Sequence, residues 1–563
     1  MNIKDILQLI IFYSALLFLS PLLGKYMFLV YSKEKHIMKS IFGKTETIIY
    51  RLLKINPDRE MDWKEYLISV LVFNFLGFIL LSSILMLQKY LPLNTQNFDN
   101  VPLLLTFNIA VSFVSNTNFQ TYAGEQTLSY LSQMAGLTVQ NFLSAATGIA
   151  VFLAITRAIK LKNSSSLGNF WSDITKSILY ILLPLSVILA IILLSQGVIQ
   201  NFSGYTSTVT LEGKEQIIPS GPVASQIAIK QLGTNGGGFF NTNCAHPFEN
   251  PTPLSNFLNM IAILLIPASL TFTFGYMLDS KKQGIVLFAV MLILFSAGLF
   301  TSVYSEFQHY DTFQTGYSME GKETRFGVIN SVIWSTATTA ASNGSVNAML
   351  SSLTPLSGMV AMLNIMLGEI IFGGVGSGMY GMLIFVFITV FISGLMVGRT
   401  PEYFGKKIES LEIKMSILAI LLPCAVILLF TAASIYNNNA LKSLSVSGPH
   451  GFSEILFAFS SAAGNNGSAF AGLNSNTDFI NIMTALAMII GRYGVIIPVM
   501  IIAGSIAKKN IAPESAGTFK TDNTLFVILL CLVILIIGGL TFFPALSLGP
   551  IVEHIYLMKG YGF

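Results

Sequence analysis

Charge is the first thing this chain lacks. Of its 563 residues only 10% are Asp, Glu, Lys or Arg, while 53% are hydrophobic; soluble domains carry about 25% charged residues. A folded globule of this length with so few charges would not stay dispersed in water, so most of the chain belongs in a non-aqueous solvent. Cysteine is scarce too. Cys244, Cys424 and Cys531 are far apart with no C-x-x-C pair, which argues against a disulfide framework and a metal knuckle. The five histidines, His36, His246, His309, His450 and His554, fall in connections and no two share an apolar run, which argues against a haem-binding membrane subunit. A membrane-bound enzyme would need histidines or carboxylates clustered at one depth, and the sequence has no such cluster. It also lacks G-x-x-x-x-G-K-[ST] and D-K-T-G-T segments, so this chain alone is not expected to hydrolyse ATP.

What the chain has in quantity is apolar sequence. Runs of spanning length, on the order of 20 residues, fall at 6–23, 63–87, 127–156, 177–195, 254–278, 284–303, 358–397, 415–436, 479–507 and 524–543. Ten such runs predict an all-α polytopic membrane protein with ten transmembrane helices. The first follows a single lysine and has no A-x-A cleavage site, which reads as a retained helix rather than a signal peptide. The seventh is too long for one straight span and contains Gly373-Gly374-Val375-Gly376-Ser377-Gly378. Five helix-poor residues in six predict an unwound break at mid-membrane. The odd-to-even connections hold 22 of the 31 Lys and Arg residues, among them Lys33, Arg157, Arg399 and Lys406. That side is predicted to be cytoplasmic, which places both termini outside.

On the opposite side lie four loops rich in Asn and Gly: SNTNFQ (115–120), GTNGGGFF (233–240), SNGSVN (342–347) and GNNGSAF (464–470). Anchored on Asn118, Gly236, Gly344 and Gly467, they are separated by 118, 108 and 123 residues. Near-constant spacing suggests copies of one unit around a shared axis. Each loop follows a short apolar segment, at about 103–114, 222–232, 328–340 and 452–463, too brief to cross a bilayer. Span, half-helix, loop and returning span is the layout of a pore-forming unit. The chain is therefore expected to hold four fused pore repeats with pseudo-fourfold symmetry and one extra helix at each end. The division is 1–62 for the first span and its connection, 63–160, 161–280, 281–412 and 413–510 for the repeats, and 511–563 for the last span and tail.

A dehydrated cation in a bilayer needs oxygen ligands in place of water, and rings of backbone carbonyls supply them in potassium filters. Turning successive carbonyls toward one axis requires positive φ, which Gly adopts freely and Asn next most readily. Positive φ is expected at Asn118 and in the pairs Asn235-Gly236, Asn343-Gly344 and Asn466-Gly467. None of the four loops contains Asp or Glu. Carboxylates would be expected for a divalent cation, whereas neutral carbonyls suit a large monovalent one. The half-helices should point their carbonyl ends, each about half a negative charge, at the pore centre.

GTNGGGFFNTNCAHPFENPTPLSN (233–256) and GRTPEYFGKKI (398–408), together with RYGVIIPVMIIAG (492–504), resemble the potassium-translocating A subunits of the Kdp ATPases, the KdpA family. The resemblance runs through essentially the whole chain. It implies K+ as the transported ion, no organic cofactor, and ATP consumed by a partner subunit. The implied assembly contains a KdpB-like P-type ATPase, a KdpC-like subunit and a small KdpF-like single-span peptide, in a bacterial inner membrane with its lipid and without nucleic acid. The implied filter segments are Asn116-Thr117-Asn118, Thr234-Asn235-Gly236, Ser342-Asn343-Gly344 and Asn465-Asn466-Gly467. Asn118 stands where the other loops have Gly, so strict fourfold symmetry is not expected.

Four further residues stand out. Glu369 lies four residues before the glycine-rich break. It is expected to border a water-filled path from filter to ATPase subunit, or else to cap the break or pair with a lysine. Arg492 is the one basic residue deep in a span. It is expected to hold loop carbonyls or helix ends, or to act as an electrostatic barrier to free flow. Arg399 reads as a positive-inside anchor or as a gate or partner contact. Gln120 is expected to hold the first loop by side-chain hydrogen bonds, and His246 to pack beside the second loop rather than to bind an ion. The leading reading is the ion-selecting subunit of an ATP-driven potassium uptake pump. The second is a stand-alone potassium channel or Trk/Ktr-like symporter.

Overall fold

The structure is a computed structural model that describes residues 1–32, 34–310, 317–396, 398–513 and 519–561. Lys33 and the last residue of the seventh apolar run, Val397, lie outside the described residues. Among the described residues ten helices are long and apolar enough to cross a membrane: Ile3–Tyr31, Trp63–Tyr90, Ser132–Lys160, Phe170–Ser195, Pro253–Met277, Lys281–Phe307, Ser377–Met396, Ser410–Ile435, Asp478–Ala507 and Thr524–Leu548. They are numbered here as spans one to ten. The chain is a multi-pass membrane protein. Four shorter helices, Leu103–Val114, Val223–Leu232, Gly327–Ala340 and Pro449–Ala463, fall between spans two and three, four and five, six and seven, and eight and nine. These are half-helices one to four.

Burial separates the two members of each pair. In returning spans three, five, seven and nine, 83, 78, 72 and 56% of the apolar window is buried within the protein. In outgoing spans two, four, six and eight the figures are 28, 44, 50 and 33%, and in terminal spans one and ten 22 and 33%. The returning helices therefore form an inner group and the rest form its lipid-facing jacket. Lipid does not drive helices together as water does, so close backbone approach holds such a bundle. At Gly24 of span one, a Cβ would stand 2.6 Å from Ser269 O of span five.

The seventh apolar run breaks where its glycines sit. Helix Pro355–Met366 ends, an irregular stretch follows, and helix resumes at Ser377. The break is packed, not loose: a Cβ on Gly376 would lie 2.0 Å from Gly148 O of span three, and one on Gly148 would lie 2.1 Å from Val375 O. Gly373 N–H donates to Ala340 O at the end of half-helix three, 3.1 Å away. Irregular backbone at membrane depth is thus enclosed by protein, as it must be. The helical expectation gains two small hairpins, Thr206–Val209 with Glu215–Ile218 and Glu402–Tyr403 with Lys406–Lys407. It also gains an amphipathic helix, Ile37–Leu52, and a tail helix, Pro550–Met558.

The second hairpin carries Lys406, whose side chain is buried and whose Nζ donates to Ala158 O and Ile506 O, 2.8 Å each. These are carbonyls at the ends of spans three and nine, which have no helical partner of their own. Burial first, and Lys509 second, push this ammonium down to about 8 from 10.5. Below that pH the buried charge opposes folding in full. As pH rises from 8 toward 10.5 the folded protein sheds a proton that the unfolded chain still holds, so stability climbs. Wild type should therefore gain thermal stability relative to Lys406→Met between pH 7 and 10. A difference in Tm that stays flat across that range would show that Lys406 is not held as an internal cation.

Candidate cation-binding site

Each half-helix stops inside the protein, where its last carbonyls need partners. All four stop in the same way. The residue after the C-cap takes a left-handed conformation: Asn116 (φ 66°), Thr234 (50°), Ser342 (49°) and Asn465 (48°). The next N–H then folds back to the carbonyl three positions from the helix end. The bonds are Thr117 to Ser112 (2.9 Å), Asn235 to Lys230 (2.8 Å), Asn343 to Thr338 (2.9 Å) and Asn466 to Ser461 (2.8 Å). This is the Schellman termination. The third loop, Ser342-Asn343-Gly344, matches the others.

Two residues later the backbone turns left-handed again, at Asn118 (53°), Gly236 (81°), Gly344 (91°) and Gly467 (94°). Positive φ therefore alternates, first and third but not second. The expectation for Asn235, Asn343 and Asn466 is corrected: their φ is ordinary, and the residue before each carries the strain because it caps the helix. Left- and right-handed residues in alternation send successive N–H groups to one side and successive carbonyls to the other. The N–H side faces the half-helix, which leaves the carbonyls to the opposite side.

The loops touch one another in a closed circuit. A Cβ on Gly236 would lie 2.0 Å from Asn343 O, on Gly344 2.1 Å from Asn466 O, and on Gly467 2.0 Å from Thr117 O. Each third-position glycine is thus pressed on the second carbonyl of the next loop, which explains why glycine is needed there. The circuit closes between loops one and two through side chains: Asn116 Nδ2 donates to Thr234 O (2.9 Å), and Asn235 Nδ2 to Asn116 Oδ1 (2.5 Å). Asn118, the non-glycine, turns its amide to Asn141 Oδ1 (2.8 Å) on span three. Asn343 Nδ2 reaches Lys230 O (3.0 Å), Asn466 Nδ2 reaches Thr338 O (2.9 Å), Ser342 Oγ reaches Gly464 O (2.7 Å) and Asn465 Nδ2 reaches Thr117 Oγ1 (2.9 Å). All twelve expected filter residues lie together in this ring.

The supporting residues divide. Gln120 Nε2 donates to Tyr122 Oη beside its own loop (3.2 Å) and also ties that loop to the second. Its amide grips the second loop in both directions, accepting from Gly238 N (2.8 Å) and donating to Gly238 O (3.1 Å). Glu369 lies in the span-seven break (φ 59°), buried, with Ser377 Oγ 2.5 Å from its carboxylate. Ser377 is the first residue of span seven, so the carboxylate sits at a helix N-terminus, where negative charge is favoured. The alternative of a lysine partner is not realised among the described residues. Thr234 Oγ1 of the second loop accepts from Val375 N, 2.9 Å, so the break is anchored to the ring.

Glu369, Arg492, Ser377, Tyr380 and Asn465 line a cavity of about 40 Å³, room for more than one water. Arg492 is buried in span nine. Among the described residues its guanidinium makes no hydrogen bond or ion pair, so the expected hold on loop carbonyls is corrected: it faces the cavity. Arg399 is exposed beyond the far end of span seven, a helix of 20 residues or about 30 Å from the break. His246 stacks on Phe240 at 3.8 Å and 7° and accepts from Phe248 N, which is packing beside the second loop.

Sequence reasoning missed Lys230, Asn243 and Glu249. Lys230 was one basic residue among eight on the outer side, and nothing in its spacing marks it as internal. Its side chain and that of Glu249 are fully buried and 2.6 Å apart.

Ten spans around four capped half-helices, whose loops form a neutral oxygen-rich ring, define a membrane ion-transport protein. The fold is similar to that of the potassium transporter TrkH from Vibrio parahaemolyticus, with a TM-score of 0.51 over 88% of this chain and 97% of that one at 13% identity. The family model for the potassium-transporting ATPase A subunit, KdpA, matches residues 10–555, and the chain belongs to that family. It is 55% identical over 563 residues, covering all of both chains, to a potassium-transporting ATPase potassium-binding subunit of Leptospira interrogans. It is 50% identical to the protein of that name from Pseudomonas aeruginosa, over 99% of this chain and all of that one.

The close apposition of the loops gives a direct test. Gly467→Ala places a Cβ against Thr117 O at positive φ, a conformation that costs L-residues roughly 1–2 kcal/mol before any clash. A Cβ on Gly539 meets nothing within 4 Å. Gly467→Ala should lower the Tm of the purified protein and Gly539→Ala should not. Equal Tm values would show that the ring is not closed at loop four.

Proposed function

We propose that this chain is the potassium-binding, ion-selecting subunit of an ATP-driven potassium import complex. The observation that carries the reading is the closed ring of four half-helix caps, with their outward carbonyls and no carboxylate. The names borne by its relatives at 50–55% identity favour it over a stand-alone channel or symporter. In this reading the repeats are 63–160, 161–280, 281–412 and 413–510, related by pseudo-fourfold symmetry. The twelve loop residues supply the filter, and Gln120 fixes the second segment of it.

Potassium enters from the extracytoplasmic side of a bacterial inner membrane, where both termini also lie, and loses its water in the ring. Below the ring it meets Glu369 and, across the cavity, Arg492. The carboxylate stabilises a partly dehydrated cation, and the guanidinium opposes straight passage to the cytoplasm. A second cavity of about 50 Å³ shares Met366, Gly368, Gly381, Pro423 and Val495 with the first and reaches Ile537, Gly538 and Thr541 of span ten. Those shared walls support a sideways exit toward the lipid-facing surface, where a KdpB-like P-type ATPase subunit takes the ion and spends ATP. KdpC-like and KdpF-like subunits complete the assembly. Arg399, exposed on the basic side, contacts a partner or gates the inner end.

Expressed without its ATPase partner, the chain should fail to restore growth of a potassium-auxotrophic strain at low K+, and the full complex should restore it. Rescue by the chain alone would establish the channel or symporter reading. In the purified complex, Glu369→Gln should reduce K+ moved per ATP while changing the half-saturating K+ by less than about threefold, under 1 kcal/mol. A large rise in half-saturation with unaltered coupling would place Glu369 in the filter.

A further inference from the structure

Each loop is tied to its own half-helix by different chemistry. In loop one Ser112 Oγ donates to Phe119 O (3.0 Å), in loop three Trp334 Nε1 donates to Ser345 O (2.8 Å), and in loop four Gly467 N donates to Ser461 Oγ (2.9 Å). Loop two uses charge. Lys230 Nζ donates to Asn243 Oδ1 (2.8 Å) and to Glu249 Oε2 (2.6 Å), and Asn243 Nδ2 donates to Gly236 O (2.7 Å). Glu249 Oε1 accepts from Phe240 N (2.9 Å), and Asn243 Oδ1 from Cys244 N (2.9 Å). Among the described residues, Gly236 is the one third-position residue of the ring whose carbonyl a side chain engages.

We propose that the Lys230–Glu249 ion pair is a positioning device that holds the Asn243 amide on the Gly236 carbonyl and so sets the ion discrimination of the ring. The proposal rests on the reading of the loops as a potassium filter. An internal ion pair is a poor way to gain stability, because desolvating both charges offsets their attraction; a hydrophobic pair of equal volume would serve the fold. What the pair supplies is direction. The ammonium fixes which end of the Asn243 amide faces inward, since only Oδ1 accepts from it, and that leaves Nδ2 for the filter. Both partners of the amide's ends are therefore determined. A carbonyl oxygen that accepts a hydrogen bond from behind has one lone pair occupied and is a weaker cation ligand. It is also tethered, and cannot follow inward onto a smaller cation. Under either account of filter selectivity, cavity size or ligand field strength, the tether disfavours Na+ relative to K+.

The test uses the assembled complex and its cation-stimulated ATPase, with KCl and NaCl as probes. Lys230→Met/Glu249→Gln removes both charges together and leaves no unpaired ion in the interior. Asn243→Ala removes the link alone. Each should narrow the ratio of half-saturating Na+ to half-saturating K+ by about tenfold, the worth of one hydrogen bond, with a smaller change in maximal rate. Lys230→Met/Glu249→Gln with a wild-type ratio overturns the proposal, whatever Asn243→Ala does. Failure of that double variant to assemble also overturns it, because the pair would then hold the fold rather than aim the amide. Absence of K+ stimulation in the wild-type complex would instead remove the functional reading itself.

Discussion

A helix that ends inside a membrane leaves its last carbonyls without partners, in surroundings that offer no water to satisfy them. The structure meets this constraint four times with one solution: a left-handed residue after the C-cap and a returning N–H. That solution has a consequence beyond satisfying the helix. It begins the left–right alternation, and the alternation separates the N–H groups from the carbonyls along the loop. The N–H groups are consumed by the half-helix, and the carbonyls face the other way, where among the described residues side-chain donors reach Thr234 O and Gly236 O and leave the rest of the twelve without a donor. In the filter reading, a cation is the partner those oxygens take. The cap and the filter are one piece of backbone geometry.

The same constraint explains where the loops differ. Where a third-position residue is pressed on a neighbouring carbonyl, glycine is required, and Gly236, Gly344 and Gly467 are all so placed. Between loops one and two the junction is made by the Asn116 and Asn235 side chains instead, and there the third position is Asn118. Four equivalent positions thus tolerate one side chain at the point where the circuit is closed by amides. The ties behind the loops diverge further, through a serine, a charge relay, an indole and a second serine. Shared backbone with unshared support is what fused repeats permit and identical subunits do not.

How far the sequence reached follows from which forces act locally. Span number, the break at 373–378 and the half-helices were legible because length, apolarity and glycine content act over a few residues. The four loops that the structure gathers into one ring were legible by their repetition. Positive φ was legible at Asn118, Gly236, Gly344 and Gly467, but the second left-handed residue of loops two to four falls one position before the expected Asn, because a helix cap outranks intrinsic preference: Thr234 and Ser342 are left-handed although Asn235 and Asn343 tolerate it better. Gln120 was seen as a support of the first loop, but its bonds to Gly238 of the second were not legible, since only the folded circuit brings the two together. Lys230 and Lys322 looked like surface charges of the outer face. Both are buried against Glu249 and Glu306 at 2.6 and 3.1 Å, partners 19 and 16 residues away that no periodicity announces.

Those buried charges show how the molecule separates two tasks. The four loops of the ring carry no charged side chain, and the Lys230–Glu249 pair lies behind the second of them. Glu369 and Arg492, which among the described residues make no direct ion pair, line one cavity together with Asn465 of the fourth loop. A fixed carboxylate in the ring would deepen the binding of any cation and with it the barrier to leaving, so conduction favours sites strong enough to enter and weak enough to quit. In the proposed reading, a carboxylate one step lower gives the departing ion a destination without strengthening the site it leaves. In the same reading the guanidinium makes the straight continuation of the axis unfavourable, and the two adjoining cavities, which share five lining residues, support a sideways route. Direction would then follow from the order of charges along the path, and selectivity from the neutral oxygens above them.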